Sequence, residues 1–499
     1  MNRIACVVFL FLAASAVAAP PADIKRDATT VEVVQVPVYV AAQGHAVRGL
    51  TRDDFKLFVN GKPQPIDYFD VVDFAAADQS TDPRQRRLYL LVFDLLFSSP
   101  DTIFRAQEAA AKYVDTAPAG DYFAVGAYTS NRGVQIAVPF TRDRLAVRRA
   151  ISRLGENGNG DPLRLAMTLG ERSAIAGAQR LFDGGIEARS GSYWANDLMS
   201  GPVFRLAEDQ VNSLAELAAR LGPIEGQKHV VLLSTGFDAT RILGGVASDP
   251  FRRTGMGGEP VRRVNAYFAD PRVTGSLRDM HASFNAAGVV LDAVDIYGLA
   301  GPFEARNNTA LYSMAIETGG TVADNANDLR LAIQRLADRQ RVVYLLGFHA
   351  PATNRKDNAI SVSVRNAPGG SRVNYRRAYS TTLPEASATD GLRLADIIQN
   401  DMPQSGVSVT AKATTAARRA TVTVDIPPAE LSALGGNDGD ALIYIYSGTA
   451  AVAFQQKAIG VDRAQLTQDF ELPPGRYAAK VLVRWDGALG YARTDFTVE

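Results

Sequence analysis

Short apolar runs alternate with helical patterns through the middle of the chain. Residues 88–93 form a nearly continuous apolar run that ends abruptly at Asp94, which is typical of a strand buried on both faces. Pro100 then opens a segment whose apolar residues recur at helical spacing. Strand-like runs followed by helical segments recur further along. The pattern predicts an α/β region from 87 to 340, built on a doubly wound, mostly parallel sheet.

One connection in this region is too short to hold a helix. The strand-like segments 122–128 and 134–138 are separated only by a short link that contains Gly133. Parallel neighbours need a long crossover, whereas antiparallel neighbours can be joined by a tight turn. We therefore expect an antiparallel hairpin at the edge of the sheet.

Alternating apolar and polar positions predict β structure on both sides of the α/β region. Segments 29–80 and 341–380 each have too few strands to be stable alone. We expect them to pair into one β-sandwich, with the α/β region inserted between its halves; the alternative is two separate β appendages. Segment 389–499 has the strand spacing of an immunoglobulin-like β domain.

The first 18 residues have the pattern of a signal peptide. Arg3 precedes a short apolar segment, and small residues at Ala16 and Ala18 fit a cleavage site. The alternative, an uncleaved anchor, is disfavoured because the apolar run is short for a membrane span. We expect an exported protein, periplasmic or extracellular, with no transmembrane anchor after cleavage. Cys6 is the chain's single cysteine, so the mature chain would contain no disulfide.

Charge and motif content exclude several classes of function. The formal net charge is zero and no basic block occurs, so nucleic acid is not an expected partner. The four histidines show no metal-binding spacing, and no nucleophile elbow or phosphate-binding loop appears. An enzyme usually requires an oriented base or an open metal site. The sequence shows no such arrangement, so we expect no enzymatic activity.

Two long insertions carry candidate ligand-binding residues. Segment 183–202 reads as irregular and contains Tyr193 and Trp194, which are suited to anchoring a ligand. The polar segment 235–271 contains Arg252 and Arg253, which suit an acidic partner. The alternatives are that the aromatic pair packs its insertion onto the domain and that the arginines lie in a solvated loop.

A set of ordered motifs resembles a known family. The set spans roughly 31–379, about two-thirds of the chain, and resembles the VWFA-related proteins of Acidobacteria, within the von Willebrand factor type A superfamily. The resemblance implies a von Willebrand A, Rossmann-like fold in an exported protein. The main motifs are Val36-Pro37-Val38, Gly49-Leu50-Thr51-Arg52-Asp53-Asp54-Phe55, Asn60-Gly61-Lys62-Pro63-Gln64, Glu317-Thr318-Gly319-Gly320 and Tyr344-Leu345-Leu346-Gly347-Phe348.

The resemblance also implies a degenerate metal-ion-dependent adhesion site. Leu96 stands where the family pattern has a serine, and Thr235 stands where it has an aspartate, so two ligands are lost. Two further acids lie near the pattern positions, which leaves a substituted oxygen set for weakly bound Mg²⁺ or Ca²⁺. The alternative is a vestigial site in which the first aspartate caps the local backbone. The candidate metal ligands are Asp94, Ser98, Asp161 and Asp238.

These observations favour a non-enzymatic binding, adhesion or scaffolding protein. Its ligand face is expected at the carboxyl edge of the strands around Asp94, and its partner is expected to be a protein or polymer of the cell envelope. Two alternatives remain. One is a structural envelope component with a vestigial site, and the other, less favoured, is a metal-dependent hydrolase.

Overall fold

The computed structural model describes residues 33–74, 82–130, 132–154, 193–237, 245–246, 266–267, 271–298, 309–350, 357–380, 391–435, 439–463 and 465–499. The predicted signal peptide, 1–18, lies outside these residues and stays a prediction. Strands make up 44% of the structure and helices 31%. The first strands are β1 (Val33–Ala42), β2 (His45–Ala46), β3 (Phe55–Val59), β4 (Lys62–Gln64) and β5 (Tyr68–Asp73).

The middle region contains one mixed sheet with helices on both faces. Its elements are β6 (Arg87–Asp94), α1 (Pro100–Thr116), β7 (Tyr122–Thr129), β8 (Gly133–Thr141), α2 (Arg144–Ser152), α3 (Tyr193–Leu221), β9 (Gln227–Ser234), β10 (Gly245–Val246), β11 (Ala266–Tyr267), α4 (Pro271–Ala287), β12 (Val289–Asp295), α5 (Thr309–Ala315), β13 (Val322–Ala323) and α6 (Leu329–Arg339). The sheet order is β13-β12-β9-β6-β7-β8. Helices α3, α4 and α5 pack on one face, and α1, α2 and α6 pack on the other.

The strands of the mixed sheet match their sequence pattern. Every residue of β6, β7 and β12 is buried, as expected for strands covered on both faces. Strands β6, β7, β9, β12 and β13 run parallel, so their carboxyl ends lie at one edge. Strand β8 pairs with β7 in the antiparallel direction, which confirms the predicted edge hairpin.

The first sandwich combines strands from both sides of the middle region. The later strands are β14 (Val342–His349), β15 (Asp357–Val364), β16 (Arg372–Tyr375) and β17 (Ala378–Ser380). Strand β1 pairs with β14 and β16, β14 also pairs with β5, and β15 pairs with β3. Val36, Val38, Tyr344 and Phe348 lie in the shared core. The sequence limits of the domains (29–80, 87–340, 341–380 and 389–499) remain predictions.

The C-terminal region forms a second sandwich with a helix at its start. Its elements are α7 (Gly391–Asn400), β18 (Thr410–Ala416), β19 (Arg419–Asp425), α8 (Pro428–Leu434), β20 (Gly439–Ser447), β21 (Ala450–Ile459), β22 (Gln465–Glu471), β23 (Gly475–Trp485) and β24 (Ala488–Val498). Sheets β18-β19-β22 and β21-β20-β23-β24 enclose a core around the fully buried Trp485. The sequence pattern predicts only strands here, and helices α7 and α8 correct that prediction.

The predicted fold class, an α/β protein built on a doubly wound, mostly parallel sheet and flanked by all-β sandwich domains, is wrong, because the described structure is mostly β. Among the described residues, most strands lie in several separate antiparallel sheets, and only one sheet is mixed. Antiparallel pairing needs no crossover helix: a short turn joins β20 to β21, and the first sandwich pairs strands from either side of the middle region. Their one-sided burial is visible in β19, where buried positions alternate with half-buried and exposed ones. The strand-then-helix pattern extends only through the mixed sheet.

The first sandwich packs against the beginning of the parallel strands. The Tyr39 hydroxyl lies 3.2 Å from Nε2 of His229, which is close to the start of β9. Val290, at the start of β12, packs with Val343 and Leu345 of β14. The carboxyl ends of β6, β9 and β12 therefore lie at the edge away from this contact. In the part of the chain described above, no helix combines the length and apolar character needed to cross a membrane.

Candidate functional site

The Asp94 carboxylate lies buried at the carboxyl edge of the mixed sheet and accepts four hydrogen bonds. Its Oδ1 accepts from the backbone amides of Leu96 and Phe97, each at 3.0 Å. Its Oδ2 accepts from Nε2 of Gln210 at 2.9 Å and from Oγ of Ser234 at 2.6 Å. Both oxygens are thus committed to donors from three elements: the loop after β6, helix α3 and the end of β9.

Burial dominates the electrostatics of this carboxyl. The Asp94 side chain is inaccessible to solvent, and this burial raises its pKa above the ordinary value, while the hydrogen bonds that it accepts oppose the shift. The neighbouring Tyr128, level with Asp94 on β7, also has a raised pKa, first from burial and then from the Asp94 charge. The arrangement suits an internal anchor more than an exposed acid or base.

Ser98 and Thr235 join the loops that follow β6 and β9. The Thr235 amide donates to Oγ of Ser98 at 3.2 Å, and the Thr235 hydroxyl donates to the carbonyl of Phe97 at 2.8 Å. The rings of Phe97 and Phe237 meet with centroids 5.5 Å apart. These contacts hold the two loops in one fixed arrangement above the sheet edge.

Helix α3 connects this anchor to the predicted aromatic pair. Gln210 lies at the Asp94 edge, whereas the helix ends at Leu221, before β9 begins beside Arg87. The helix begins at Tyr193, so about 25 Å of helix separates Gln210 from Tyr193 and Trp194. The prediction that 183–202 is irregular is therefore wrong from Tyr193 onward.

The described residues alone do not supply a cation site at this edge. Each Asp94 oxygen already accepts two hydrogen bonds. The buried Leu96 side chain has no oxygen that could coordinate a cation. Within the described ranges, no group of three or more His, Cys, Asp or Glu side chains is placed to hold a metal. Asp161 and Asp238 lie outside these ranges, so the metal prediction that includes them stays a prediction.

The second predicted ligand pair also lies outside the described residues. Arg252 and Arg253 belong to a segment of which only Gly245–Val246 and Ala266–Tyr267 are described, as a two-stranded antiparallel pair. Their part in ligand binding stays a prediction.

Gln210 and Ser234 are site residues that the sequence does not reveal. Gln210 is 116 positions from Asp94 and lies inside an ordinary helical pattern. Its Oε1 is buried with no hydrogen-bond partner among the described residues. Ser234 is the last residue of an apolar strand and pairs with Asp295 on β12. Its hydroxyl also accepts a hydrogen bond from the Gly236 amide at 2.8 Å. A polar residue at the end of an apolar strand is the one available signal, and it points to Ser234 only.

Comparison with known proteins gives no family. No family model matches the chain, and no curated protein matches it.

Several solved structures show a distant likeness. A conserved hypothetical protein, BatB, from Bacteroides thetaiotaomicron is 11% identical over 51% of this chain and 99% of its own, with a TM-score of 0.26. The pilus adhesin SpaC from Lactobacillus rhamnosus GG is 8% identical over 89% of this chain and 56% of its own, with a TM-score of 0.27. Proximal thread matrix protein 1 from the mussel byssus is 14% identical over 51% of this chain and 48% of its own, with a TM-score of 0.24. Such scores are too low to establish a shared fold or function.

Proposed function

We propose that this chain is an exported, non-enzymatic binding protein whose ligand face lies at the carboxyl edge of the mixed sheet around Asp94. The partner is a protein or polymer of the cell envelope. The observation that carries the proposal is the hydrogen-bonded anchor of helix α3, in which Gln210 donates to the buried Asp94 carboxylate. This anchor fixes the helix on which Tyr193 and Trp194 lie.

The chemistry of the anchor supports binding over catalysis. A general acid or base must reach its substrate, whereas Asp94 is enclosed and its oxygens are occupied by internal donors. Rigid loops and a fixed helix reduce the entropy lost when a partner is ordered at an interface. Export itself rests on the signal-peptide pattern at 1–18.

The test measures binding of the mature protein to isolated cell-wall polymer and to envelope extract. Trp194→Ala should weaken binding at least about tenfold, because tryptophan is a frequent interface anchor. Phe454→Ala is the matched control, since Phe454 is an exposed aromatic residue on β21 of the second sandwich. That variant should bind as the wild type does.

Two results would overturn the proposal. Equal binding by Trp194→Ala and the wild type would place the ligand face elsewhere. Release of soluble fragments from the polymer during incubation with the wild type would show that the protein is an enzyme.

A further inference from the structure

A polar cleft lies far from Asp94, where the middle region meets the second sandwich. It has a volume of about 610 Å³, which is within the size range of small-molecule sites. Its walls come from the start of α2, the end of α7 and strands β20, β23 and β24. Thr141, at its rim, pairs with Phe123 at the start of β7, whereas Asp94 is level with Tyr128 near the end of that strand. The cleft and the Asp94 site are thus at opposite edges of the sheet.

The two acidic side chains of the cleft are fully occupied by groups of the wall. Asp401 accepts from the Tyr491 hydroxyl, from Nζ of Lys480 at 2.9 Å and from Arg493 at 2.7 Å. Asp143 accepts from the Ala146 amide at 3.0 Å and from the Thr449 hydroxyl at 2.8 Å. The charge of Asp401 is thus offset by two cations, whereas Asp143 is hydrogen-bonded to neutral donors and keeps its negative charge.

Internal hydrogen bonding keeps both acids ionised. The Ala146 amide and then the Thr449 hydroxyl hold the pKa of Asp143 below its ordinary value. Burial opposes ionisation of Asp401, but hydrogen bonds from Tyr491 and Lys480 outweigh it and lower its pKa. Lys480 is in turn held by the carbonyls of Ile398 and Gln399 at the end of α7.

Positive charge also lines the cleft, on the same segment as Asp143. The exposed Arg142 guanidinium lies over the Tyr122 ring, 5.3 Å from its centroid, and within the described residues it forms no hydrogen bond or ion pair. Arg144 donates through Nη2 to the carbonyl of Pro118 at 2.6 Å, while its Nη1 is buried without a partner in the described part of the chain. The exposed Arg142 guanidinium therefore offers unused donors to the cleft, whereas the unpartnered Nη1 of Arg144 is buried and inaccessible to a ligand.

The rest of the lining combines neutral polar side chains, such as Thr141, Gln399 and Asn400, with the apolar Leu145 and Ala478. Guanidinium groups recognise carboxylates and phosphates through paired N–H donors. Amides and hydroxyls suit the hydroxyl groups of a small polar ligand. We infer that this cleft binds a small oxyanion ligand of sugar size, which carries a carboxylate or a phosphate group held by Arg142.

The test is a calorimetric titration of the full mature chain at low salt with three probes: galacturonate, inorganic phosphate and galactose. Galacturonate or phosphate should bind, and neutral galactose should not. Arg142→Ala should weaken oxyanion binding at least tenfold. The affinity of Arg142→Lys should lie between those of the wild type and Arg142→Ala, because lysine keeps the charge but loses the paired donors.

Arg149→Ala is the matched control. Arg149 is exposed on the same helix, α2, and does not line the cleft. It should bind within twofold of the wild type, and Trp194→Ala should also be unchanged, which separates this site from the proposed ligand face. The inference is overturned if neither anion binds, if galactose binds equally, or if Arg149→Ala weakens binding as much as Arg142→Ala does.

Discussion

At the scale of single residues, Asp94 shows how a buried carboxylate can organise a sheet edge. It connects the loop after β6, helix α3 and the end of β9 through four hydrogen bonds, so its role is structural. Burial of a carboxyl favours its neutral form. The resulting difference in pKa between the folded and unfolded states makes the free energy of unfolding depend on pH.

We expect the wild type to lose stability relative to Asp94→Asn as pH rises above about 4, the ordinary carboxyl pKa. The folded-state pKa of Asp94 is raised. Between the unfolded and folded pKa values the folded state keeps a proton that the unfolded state has released, so raising the pH favours unfolding. The difference in free energy of unfolding between the two proteins should stop changing once Asp94 ionises in the folded state. Urea unfolding of both proteins across pH 4–8 measures this difference.

Asp54 provides a control of opposite sign. The Thr51 amide, followed by the Asn366 side chain, lowers the pKa of Asp54. Its contribution to stability is present above the ordinary carboxyl pKa and is lost as pH falls through the lowered value. The wild type should therefore lose stability relative to Asp54→Asn towards acid. The same sign for both variants would contradict the pKa directions.

The buried ion pair between Arg87 and Asp121 supports a second residue-scale prediction. Their side chains are 1% and 2% exposed, and Nη2 of Arg87 lies 2.7 Å from Oδ2 of Asp121. Asp121→Ala leaves a buried guanidinium without its counterion, which should cost about 3–5 kcal/mol in the free energy of unfolding. Chemical denaturation measures the loss.

Asp115→Ala is the matched control for that measurement. Asp115 pairs with Arg148 at 3.3 Å, but both side chains are substantially exposed. Exposed ion pairs contribute about 0–1 kcal/mol. A comparable loss in the two variants would show that burial does not set the strength of these pairs.

At the scale of elements, helix α4 contains a glycine that its packing does not require. Gly275 lies inside the helix, and outside the helix's own backbone an added Cβ would meet no atom of the described residues within 4 Å. Gly275→Ala should therefore raise the free energy of unfolding by about 0.5–1 kcal/mol, because alanine loses less backbone entropy in a helix. A thermal melt measures the gain, and a lower melting temperature would contradict the open environment.

The elements also show where sequence patterns succeed. The apolar run at 88–93 predicts β6 nearly to its ends, and the short link before β8 predicts its antiparallel pairing. Both features are local, because a strand buried on two faces and a tight turn are each encoded by a few consecutive residues.

Other elements escape prediction because their cause is distant. Gly201 and Pro202 suggest a break, yet α3 runs through them from Tyr193. Helix α7 is fixed by contacts far along the chain: Arg86 donates to both oxygens of Asp396, at 3.0 Å and 2.9 Å. The contact between Gln210 and Asp94 is also distant in sequence. The pattern therefore places Asp94 at the carboxyl end of a strand but does not reveal its hydrogen-bond partners.

At the scale of the whole molecule, a Gly-Gly pair forms the junction between the mixed sheet and the first sandwich. Gly319 has a φ of +88°, and an added Cβ would overlap the Tyr375–Arg376 backbone at the end of β16. At Gly320 an added Cβ would overlap the Leu291 carbonyl of β12. Arg376 strengthens the junction by donating to the carbonyls of Asn285 and Gln35, each at 2.7 Å.

We expect Gly320→Ala to destabilise the middle region by about 3 kcal/mol or more, because the obstructing atoms belong to backbone that cannot rotate away. Gly319→Ala should instead loosen the sandwich from the sheet, since its obstruction is the β16 backbone and its φ disfavours alanine. Amide hydrogen exchange distinguishes the two: the first variant should lose protection in β12 and β13, and the second in β1, β14 and β16.

Gly369→Ala is the control, because an added Cβ there meets no atom within 4 Å in the described part of the chain and the residue lies outside the left-handed region. Its exchange pattern should match that of the wild type. If Gly319→Ala leaves protection in the sandwich strands unchanged, the close backbone approach at Tyr375 does not hold the two parts together. The junction would then depend on the polar contacts of Arg376, and Arg376→Ala would be the variant that separates them.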